Sequence, residues 1–228
     1  QNERGVWRLY NEFCAGLFSW LPVPLLRLFA EKRFGQIKDY ADWYSPRLVL
    51  NTLELLDKEI LRLKGKIVSV QLCFTTDPFM YRYQEIADMA IASIKKLNAA
   101  GIKCTVLTKG IHPISLAELS NENKYGITLI SLNEKYRKKM KPGASPYKGR
   151  LEALTALHNA GCKTWISMEP YPTPNMAEQD LQELLEYLYT GNVNCILIRL
   201  TTPERRIGST TTIMWIQGIS TATANGCL

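Results

Sequence analysis

The stretch that decides the fold is KIVSVQLCFTTDPF, residues 66–79. It begins with an apolar run that is typical of a strand buried inside a parallel sheet. Two threonines and Asp77 follow, and Pro78 then ends the strand, because proline has no backbone N–H and disfavours helix at the residue before it. Two hydroxyls and a carboxylate at a strand end form either an ordinary turn or one edge of a functional site.

The same unit, an amphipathic helix followed by a glycine and a short apolar strand, recurs along the chain. A glycine directly after a helix is typical of the left-handed cap that lets the chain reverse. Helices that alternate with continuously apolar strands favour a parallel sheet covered by helices. The pattern predicts caps at Gly65, Gly101, Gly161 and Gly191, and strands near 66–74, 103–108, 127–132, 163–168 and 194–200.

Polar residues follow these strands where each one ends, in the segments TTDP, TKG, SLNE and MEP. Parallel α/β folds build their sites at the carboxyl ends of their strands, whether the sheet is open or closed. We therefore expect Asp77, Lys109, Asn133 and Glu169 to lie at one edge of the sheet. The alternative is that these are four unrelated turn residues, since loops favour such side chains.

A chain of 228 residues is long enough to bury one large core or two small ones. Its composition, with 46% hydrophobic and 21% charged residues, is typical of an ordinary soluble globular protein. A formal charge of +7 permits binding of nucleic acid or anionic substrates without establishing it. The densest basic stretch, YRKKMKPG at 136–143, is interpreted as a solvated loop.

The six cysteines lie far apart, without CxxC spacing, which favours a reducing, cytoplasmic setting. The apolar segment 14–30 contains Pro22, Pro24 and Arg27 and is too short to span a bilayer, so no membrane partner is expected.

The sequence contains neither of the glycine-rich phosphate-binding motifs GxGxxG and GxxxxGK[ST], which weakens the case for a dinucleotide-binding protein or a nucleotide hydrolase. The two histidines cannot form a multi-histidine metal site: His158 is expected to be structural or at the surface, and His112, after LTKG, is a weak candidate for ligand contact.

The segments VQLCFTTDPF, TVLTKG, ISLNE, KPGASPYKGRLEAL and AGCKTWISMEPYPTPN resemble, in this order, the strand ends of the radical S-adenosylmethionine superfamily. The resemblance covers about residues 23–190 and is greatest to the branch related to spore photoproduct lyase. It implies a partial (β/α)6 barrel over 23–200. The tail at 201–228 has neither helical nor strand periodicity, and we expect irregular segments there and at 1–22. An open doubly wound sheet is the main alternative.

The resemblance also implies the cofactors, a [4Fe–4S] cluster and S-adenosylmethionine, which the cluster cleaves to a 5′-deoxyadenosyl radical. By the resemblance, Lys109 pairs with the carboxylate of S-adenosylmethionine. Ser131 and Thr76 or Asp77 contact other polar groups of the cofactor, and Glu169 contacts the ribose, the ammonium or the substrate. The substrate is open. Nucleic acid is a candidate because relatives in this branch include a DNA-lesion repair enzyme.

One departure from the family bears on activity. The family binds its cluster through a CxxxCxxC loop after the first strand, in which three thiolates hold three irons. This chain has no such motif, and Cys14 is the only cysteine before Cys73. We therefore expect no metal ligands of the family's kind and no activity from the chain as written. The alternatives are a non-catalytic binding module, or an unrelated barrel enzyme that uses Asp77 and Glu169 as acid and base.

A shifted reading frame is one explanation for the missing loop. Read one nucleotide later, codons for residues 16–22 can spell G-C-x-H-G-C, which places two cysteines at the family's spacing. The alternative, to which we give equal weight, is that this chain is a homologue that has lost the cluster. The frame-shift hypothesis predicts that residues 1–22 form a poorly packed segment, because that segment was never selected as protein.

Overall fold

The computed structural model describes residues 14–15, 46–73, 76–172, 178–190, 195–200 and 213–217. The helices are α1 (Thr52–Leu63), α2 (Gln84–Ala99), α3 (Glu134–Met140), α4 (Tyr147–Asn159) and α5 (Leu181–Thr190), with a 3-10 turn at Ile114–Glu118. The strands are β1 (Cys14–Ala15), β2 (Arg47–Leu48), β3 (Ser69–Gln71), β4 (Lys103–Thr108), β5 (Lys124–Thr128), β6 (Lys163–Tyr171), β7 (Cys195–Leu200) and β8 (Ile213–Gln217).

The main sheet has the order β3-β4-β5-β6-β7-β8, which follows the chain. The pairs from β3 to β7 are parallel, and β8 is antiparallel to β7. An open doubly wound sheet reverses its strand order about a switch point, and no reversal occurs among the described strands. The prediction of a partial parallel barrel is therefore confirmed, and the doubly wound alternative is wrong. The carboxyl ends of β3 to β7 lie at one edge, which we call the carboxyl edge.

The helix caps expected from the glycines are present. Gly65, Gly101 and Gly161 have φ angles of +76°, +77° and +86°, a region that residues with a Cβ adopt at a cost. Each of the three lets a helix end and the next strand begin. The fourth predicted cap, Gly191, lies outside the described residues.

The core lies between the sheet and its helices, in two adjacent clusters. The first joins α1 and α2 to β3 and β4, and fully buried Val70 and Ile94 are among its members. The second joins α4 and α5 to β5 and β6, with Leu154 and Ile166 fully buried. Burying one such side chain contributes roughly 1.5–3 kcal/mol, so the helices hold the strand ends in place.

Some boundaries differ from the sequence prediction, and the difference nearest the site concerns the strand predicted at 127–132. This strand, β5, spans Lys124–Thr128, because the chain leaves the sheet before the polar segment SLNE. The short helix α3 follows, and Asn133 caps it by accepting hydrogen bonds from the N–H groups of Lys135 (2.9 Å) and Tyr136 (3.1 Å). The first helix, α1, begins at Thr52, and the preceding residues Arg47 and Leu48 pair with β1.

The terminal segments lie mostly outside the described residues. Only Cys14–Ala15 of segment 1–22 is described, so its predicted poor packing stays a prediction. The tail at 201–228 was expected to be irregular, but its apolar stretch IMWIQ forms β8 against β7. Among the described helices, none is long and apolar enough to cross a membrane.

The close approach of two loops at Gly110 gives a test of the fold. A Cβ at Gly110 would lie 1.6 Å from the carbonyl oxygen of Phe79, which is backbone and cannot move aside cheaply. We expect Gly110→Ala to lower the free energy of unfolding by about 3 kcal/mol or more, measured by urea denaturation. The matched control is Gly149→Ala in α4, whose Cβ would meet only the flexible end of Ile111 at 3.3 Å. Equal effects of the two substitutions would contradict the packing described.

Candidate functional site

The carboxylate of Asp77 joins the loop after β3 to the end of β4. Its Oδ1 accepts hydrogen bonds from the N–H of Phe79 (3.0 Å) and the hydroxyl of Thr108, and its Oδ2 accepts from the N–H of Lys109 (2.7 Å). The side chain is buried, with 8% exposed. Three of about four acceptor positions of this carboxylate are therefore used within the chain. Its observed role is to hold the two strand ends together, and contact with the cofactor stays a prediction.

Lys109 is held at the carboxyl edge by its backbone. Its N–H donates to Asp77, and its carbonyl accepts from the N–H (2.9 Å) and the hydroxyl (3.2 Å) of Ser145. Burial lowers the pKa of Lys109 to about 8, a fall that nearby Asp77 opposes and Arg150 reinforces. Lys109 is therefore mostly protonated at pH 7 and suited to pair with a carboxylate.

A small cavity opens beside this lysine, between β5, α3 and α4. We call it the cationic cavity; its volume is about 10 Å³, room for about one water molecule. Arg150 of α4 is 4% exposed and donates through Nη1 to the carbonyl of Thr128, and Lys141 is 8% exposed. The cavity is lined by Thr128, Ile130, Ser131, Tyr136, Arg137, Lys141 and Arg150. Two cations are therefore buried beside one cavity.

Several charged side chains around the cavity affect one another's pKa. Burial lowers the pKa of Lys141 to about 7, and the positive charges of Lys109 and Arg150 lower it further. Glu134 carries a negative charge in this group. Burial alone would raise the pKa of Glu134, but its carboxylate accepts hydrogen bonds from the N–H of Tyr147 (2.8 Å) and from Arg137 (2.6 Å). These bonds leave the pKa of Glu134 below its usual value. The charge of Asp77 acts on Lys109 and Arg150 in the opposite direction to burial, because it raises the pKa of both.

The structure describes most of the predicted site residues. Ser131 is buried, accepts a hydrogen bond from the N–H of Asn133 (3.0 Å) and lines the cationic cavity. Thr76 is half-buried in the loop that Asp77 anchors. Glu169 lies in β6, where the register with β7 shifts between Met168 and Tyr171, and the position of its side chain is outside what the structure describes.

Two functional candidates were missed in the sequence. Lys141 was assigned to a solvated loop, and this is wrong because its side chain is buried, whereas Lys138 and Lys139 just before it are exposed. Arg150 lies inside an amphipathic helix pattern, where an arginine normally faces water. The segment KPGASPYKGR, which contains both residues, resembles the family, and this resemblance was the feature of the sequence that could have identified them.

His112 belongs to the core. Its ring packs edge-on against Phe79 and Tyr125, and its Nε2 lies 2.9 Å from the carbonyl of Gly126. Burial lowers the pKa of His112 to about 4, against a small opposing effect of the Gly126 hydrogen bond, so the ring is neutral at pH 7 and Nε2 donates. Its observed contacts are with core side chains and backbone.

The described residues do not fit an iron–sulfur cluster. No group of three or more His, Cys, Asp or Glu side chains among them could hold a metal ion. Cys73, Cys104 and Cys162 are buried, and burial raises the pKa of Cys104 to about 12 and raises that of Cys162 as well. Cluster ligation needs thiolates, which these environments disfavour. Of Cys14, the structure describes only the backbone in β1.

The buried lysine gives a stability test. The pKa of Lys141 is about 7 in the folded chain and about 10.4 in the unfolded chain. Between these two pH values the unfolded chain binds more protons than the folded chain, so the free energy of unfolding rises with pH. We expect the wild type to gain about 2 kcal/mol more than Lys141→Met between pH 7 and 9 in urea denaturation. Lys138→Met, which removes an exposed lysine, should follow the wild type; parallel curves for all three proteins would refute the burial of a titrating Lys141.

Comparisons with known proteins place these features in a family. A model of the radical SAM superfamily matches residues 31–188, well over half of the chain. The uncharacterised protein ORF301 of Acidianus two-tailed virus is 28% identical over 131 residues, which cover 56% of this chain and 42% of that protein. The chain thus spans less than half the length of this curated relative.

Two solved structures are also similar to this chain. SuiB of Streptococcus suis is 18% identical with a TM-score of 0.47, over 66% of this chain and 34% of SuiB. Coproporphyrinogen III oxidase (HemN) of Escherichia coli, a radical SAM enzyme, is 13% identical with a TM-score of 0.45, over 64% of this chain and 36% of that chain. On the match of the family model, this chain belongs to the radical SAM superfamily.

Proposed function

We propose that this chain binds S-adenosylmethionine at the carboxyl edge of its barrel, as a member of the spore photoproduct lyase-like branch, and that the chain as written does not cleave it. The observation that carries the binding proposal is the placement of Lys109, whose backbone is fixed from both sides by Asp77 and Ser145. A backbone held this way fixes the point from which the side chain extends toward its ligand. In the family, this cofactor supplies a 5′-deoxyadenosyl radical when it is bound to the cluster.

The site has groups that suit the methionine end of the cofactor. The ammonium of Lys109 is the partner for its carboxylate, and the hydroxyls of Ser131 and Thr76 serve its other polar groups. Glu169 is the candidate for the ribose, the cofactor's ammonium or the substrate. A carboxylate also suits the positive field of the cationic cavity, which lies next to Lys109.

The inactivity of the chain follows from its cysteines. The sequence has no CxxxCxxC, and the three cysteines with described side chains are buried thiols. We infer that these thiols leave the family's cluster without its three ligands. Sequencing the coding DNA at codons 14–24 separates the causes: a Cys-x-x-x-Cys in the neighbouring frame supports a frame shift, whereas an intact frame with unrelated codons supports true loss.

The substrate class that best fits the charge is nucleic acid. The chain carries a formal +7, and Lys135, Lys138 and Lys139 are exposed on α3, close in the chain to the buried Lys141. Exposed lysines attract phosphate backbones without reading sequence. A cytoplasmic location fits the same proposal, because the buried free thiols suit a reducing compartment.

Two rival functions differ in their support. A non-catalytic binding module that kept the barrel and lost the cluster fits the described residues equally well, since it needs no cluster. An acid–base enzyme that uses Asp77 and Glu169 is disfavoured, because the carboxylate of Asp77 is buried and already accepts three hydrogen bonds. A general base must reach the proton that it removes.

The first test is binding of S-adenosylmethionine, measured by isothermal titration calorimetry. Lys109→Ala should weaken binding about tenfold or more, because a charge-assisted hydrogen bond is lost, while the fold persists. The matched control is Lys103→Ala, at the opposite end of β4, where the lysine pairs with Glu122 at 2.9 Å on the surface. Failure of the wild type to bind would refute the proposal, and unchanged binding by the Lys109 variant would remove Lys109 from the site.

The second test is anaerobic reconstitution with iron and sulfide. We expect a colourless protein that leaves S-adenosylmethionine intact, because the described thiols are not available as ligands. Iron–sulfur absorbance together with formation of 5′-deoxyadenosine would contradict the inferred inactivity. Absorbance that disappears in Cys14→Ser would further assign that residue to the cluster.

A further inference from the structure

Three neighbouring strands of the sheet begin with a lysine. Lys103, Lys124 and Lys163 are the first residues of β4, β5 and β6, and all three are exposed. Lys124 lies opposite Lys163 in the register of β5 and β6. It also lies opposite Thr105, two residues after Lys103, and side chains two residues apart on a strand point to the same face. The three lysines therefore form one surface, which we call the amino edge.

One glutamate lies among these lysines. Glu122 accepts a hydrogen bond from the ammonium of Lys163 (2.9 Å) and another from that of Lys103 (2.9 Å). These two hydrogen bonds lower the pKa of Glu122 to about 2, so its carboxylate is charged at neutral pH. Lys124 has no ion pair with any residue in the part of the chain that the structure describes. Three lysines against one glutamate leave an excess of two positive charges at the amino edge.

The amino edge is open to solvent. The turns before β4 and β6 contain Gly101 and Gly161, whose positive φ angles let the chain reverse within a few residues. A Cβ at either glycine would meet nothing within 4 Å. The side chains of Lys103 and Lys163 are 46% and 49% exposed although both are paired. A macromolecule can therefore reach all three lysines.

The amino edge is separate from the site proposed for S-adenosylmethionine. Lys103 begins β4 and Lys109 directly follows it, and six residues of strand span about 20 Å. Neither Glu122 nor any of the three lysines lines the cationic cavity. A ligand of the amino edge is therefore a different molecule, or a different part of a large one, from the ligand at the carboxyl edge.

The composition of the amino edge favours nucleic acid over a protein partner. The centres of protein–protein interfaces are depleted in lysine and enriched in aromatic residues. The large apolar residues that are exposed in the described chain all lie outside β4, β5 and β6 and outside the turns before them. Lysine ammonium groups act as point charges, which neutralise backbone phosphates without reading bases. Three strands span about 10 Å, and duplex DNA carries one charge per about 1.7 Å, so several phosphates face a surface of this width.

We propose that the amino edge is a docking surface for the phosphate backbone of a nucleic acid, which Lys103, Lys124 and Lys163 bind without sequence preference. Glu122 competes with phosphate for two of these lysines and so limits the affinity. The surface uses no residue of the carboxyl edge, so it stands whether or not the chain binds S-adenosylmethionine. It also stands whether or not nucleic acid is the substrate there.

The experiment follows a fluorescein-labelled DNA duplex of about 20 base pairs by fluorescence anisotropy while the whole chain is added. We expect the wild type to bind, with an affinity that falls between about 50 and about 200 mM salt, because bound phosphates release counterions. Lys124→Glu should weaken binding about tenfold or more at the lower salt and reduce the salt slope by about 1. The matched control is Lys58→Glu, which makes the same charge change at an exposed lysine of α1 and should change affinity less than about twofold.

The second variant removes the competing carboxylate. Glu122→Gln should tighten binding about threefold or more at low salt, because Lys103 and Lys163 are then available to phosphate. A purely structural role of Glu122 does not produce tighter binding, and surface ion pairs contribute little to stability, so circular dichroism should show an intact fold. Glu54→Gln, at an exposed glutamate of α1, makes the same charge change and should leave the affinity as in the wild type.

Three results would overturn the docking surface. The first is a wild type that does not bind the duplex. The second is binding that Lys124→Glu and Lys58→Glu weaken equally, since total charge would then account for it. The third is binding that Lys138→Glu on α3 abolishes and Lys124→Glu leaves unchanged, since the nucleic acid would then lie near the carboxyl edge.

Two further measurements identify what has failed. A poly-glutamate peptide that binds the wild type when the duplex does not would identify an acidic protein segment as the partner, and it would overturn the proposal. Calorimetry with S-adenosylmethionine tests the other site on the same protein. A wild type that binds the duplex but not S-adenosylmethionine would refute the cofactor proposal alone and leave the amino edge supported.

Discussion

The carboxylate of Asp77 accepts hydrogen bonds from Phe79, Thr108 and Lys109, and in doing so it fixes the loop after β3 against the end of β4. The same two loops meet at Gly110, where a side chain would overlap the carbonyl of Phe79. A buried carboxylate is tolerated only when donors surround it, and here the donors are the strand ends themselves. The direction in which Lys109 leaves the sheet therefore depends on one aspartate and one glycine.

The burial of the charged side chains of Lys141 and Arg150 costs free energy of folding at the carboxyl edge. Lysine and arginine are rarely buried in proteins, and here Lys141 and Arg150 lie together beside one cavity. Burial lowers the pKa of both, and repulsion from neighbouring cations adds to the effect. The cationic cavity and Lys109 together concentrate positive charge at the carboxyl edge.

The barrel and the metal chemistry of this superfamily member are physically separable. Parallel strands, capped helices and the anchored lysine depend on packing and hydrogen bonds within residues 46–172, none of which needs iron. Cluster ligation depends on three accessible thiolates, and the buried cysteines of the described core do not provide them.

The sequence by itself determined the parallel sheet, the glycine caps and the polar residues at the carboxyl edge. These features are local: apolar runs bounded by glycine predict strands, and Lys109 and Asp77 follow such runs directly. It missed α3, because the seven residues of that helix have no apolar periodicity and the helix depends on its Asn133 cap. Only the tertiary structure decided that Lys141 and Arg150 are buried beside Ser131. Their burial arises from contacts between elements that are distant in the chain. A local pattern of charged residues does not show whether a given side chain is exposed to solvent.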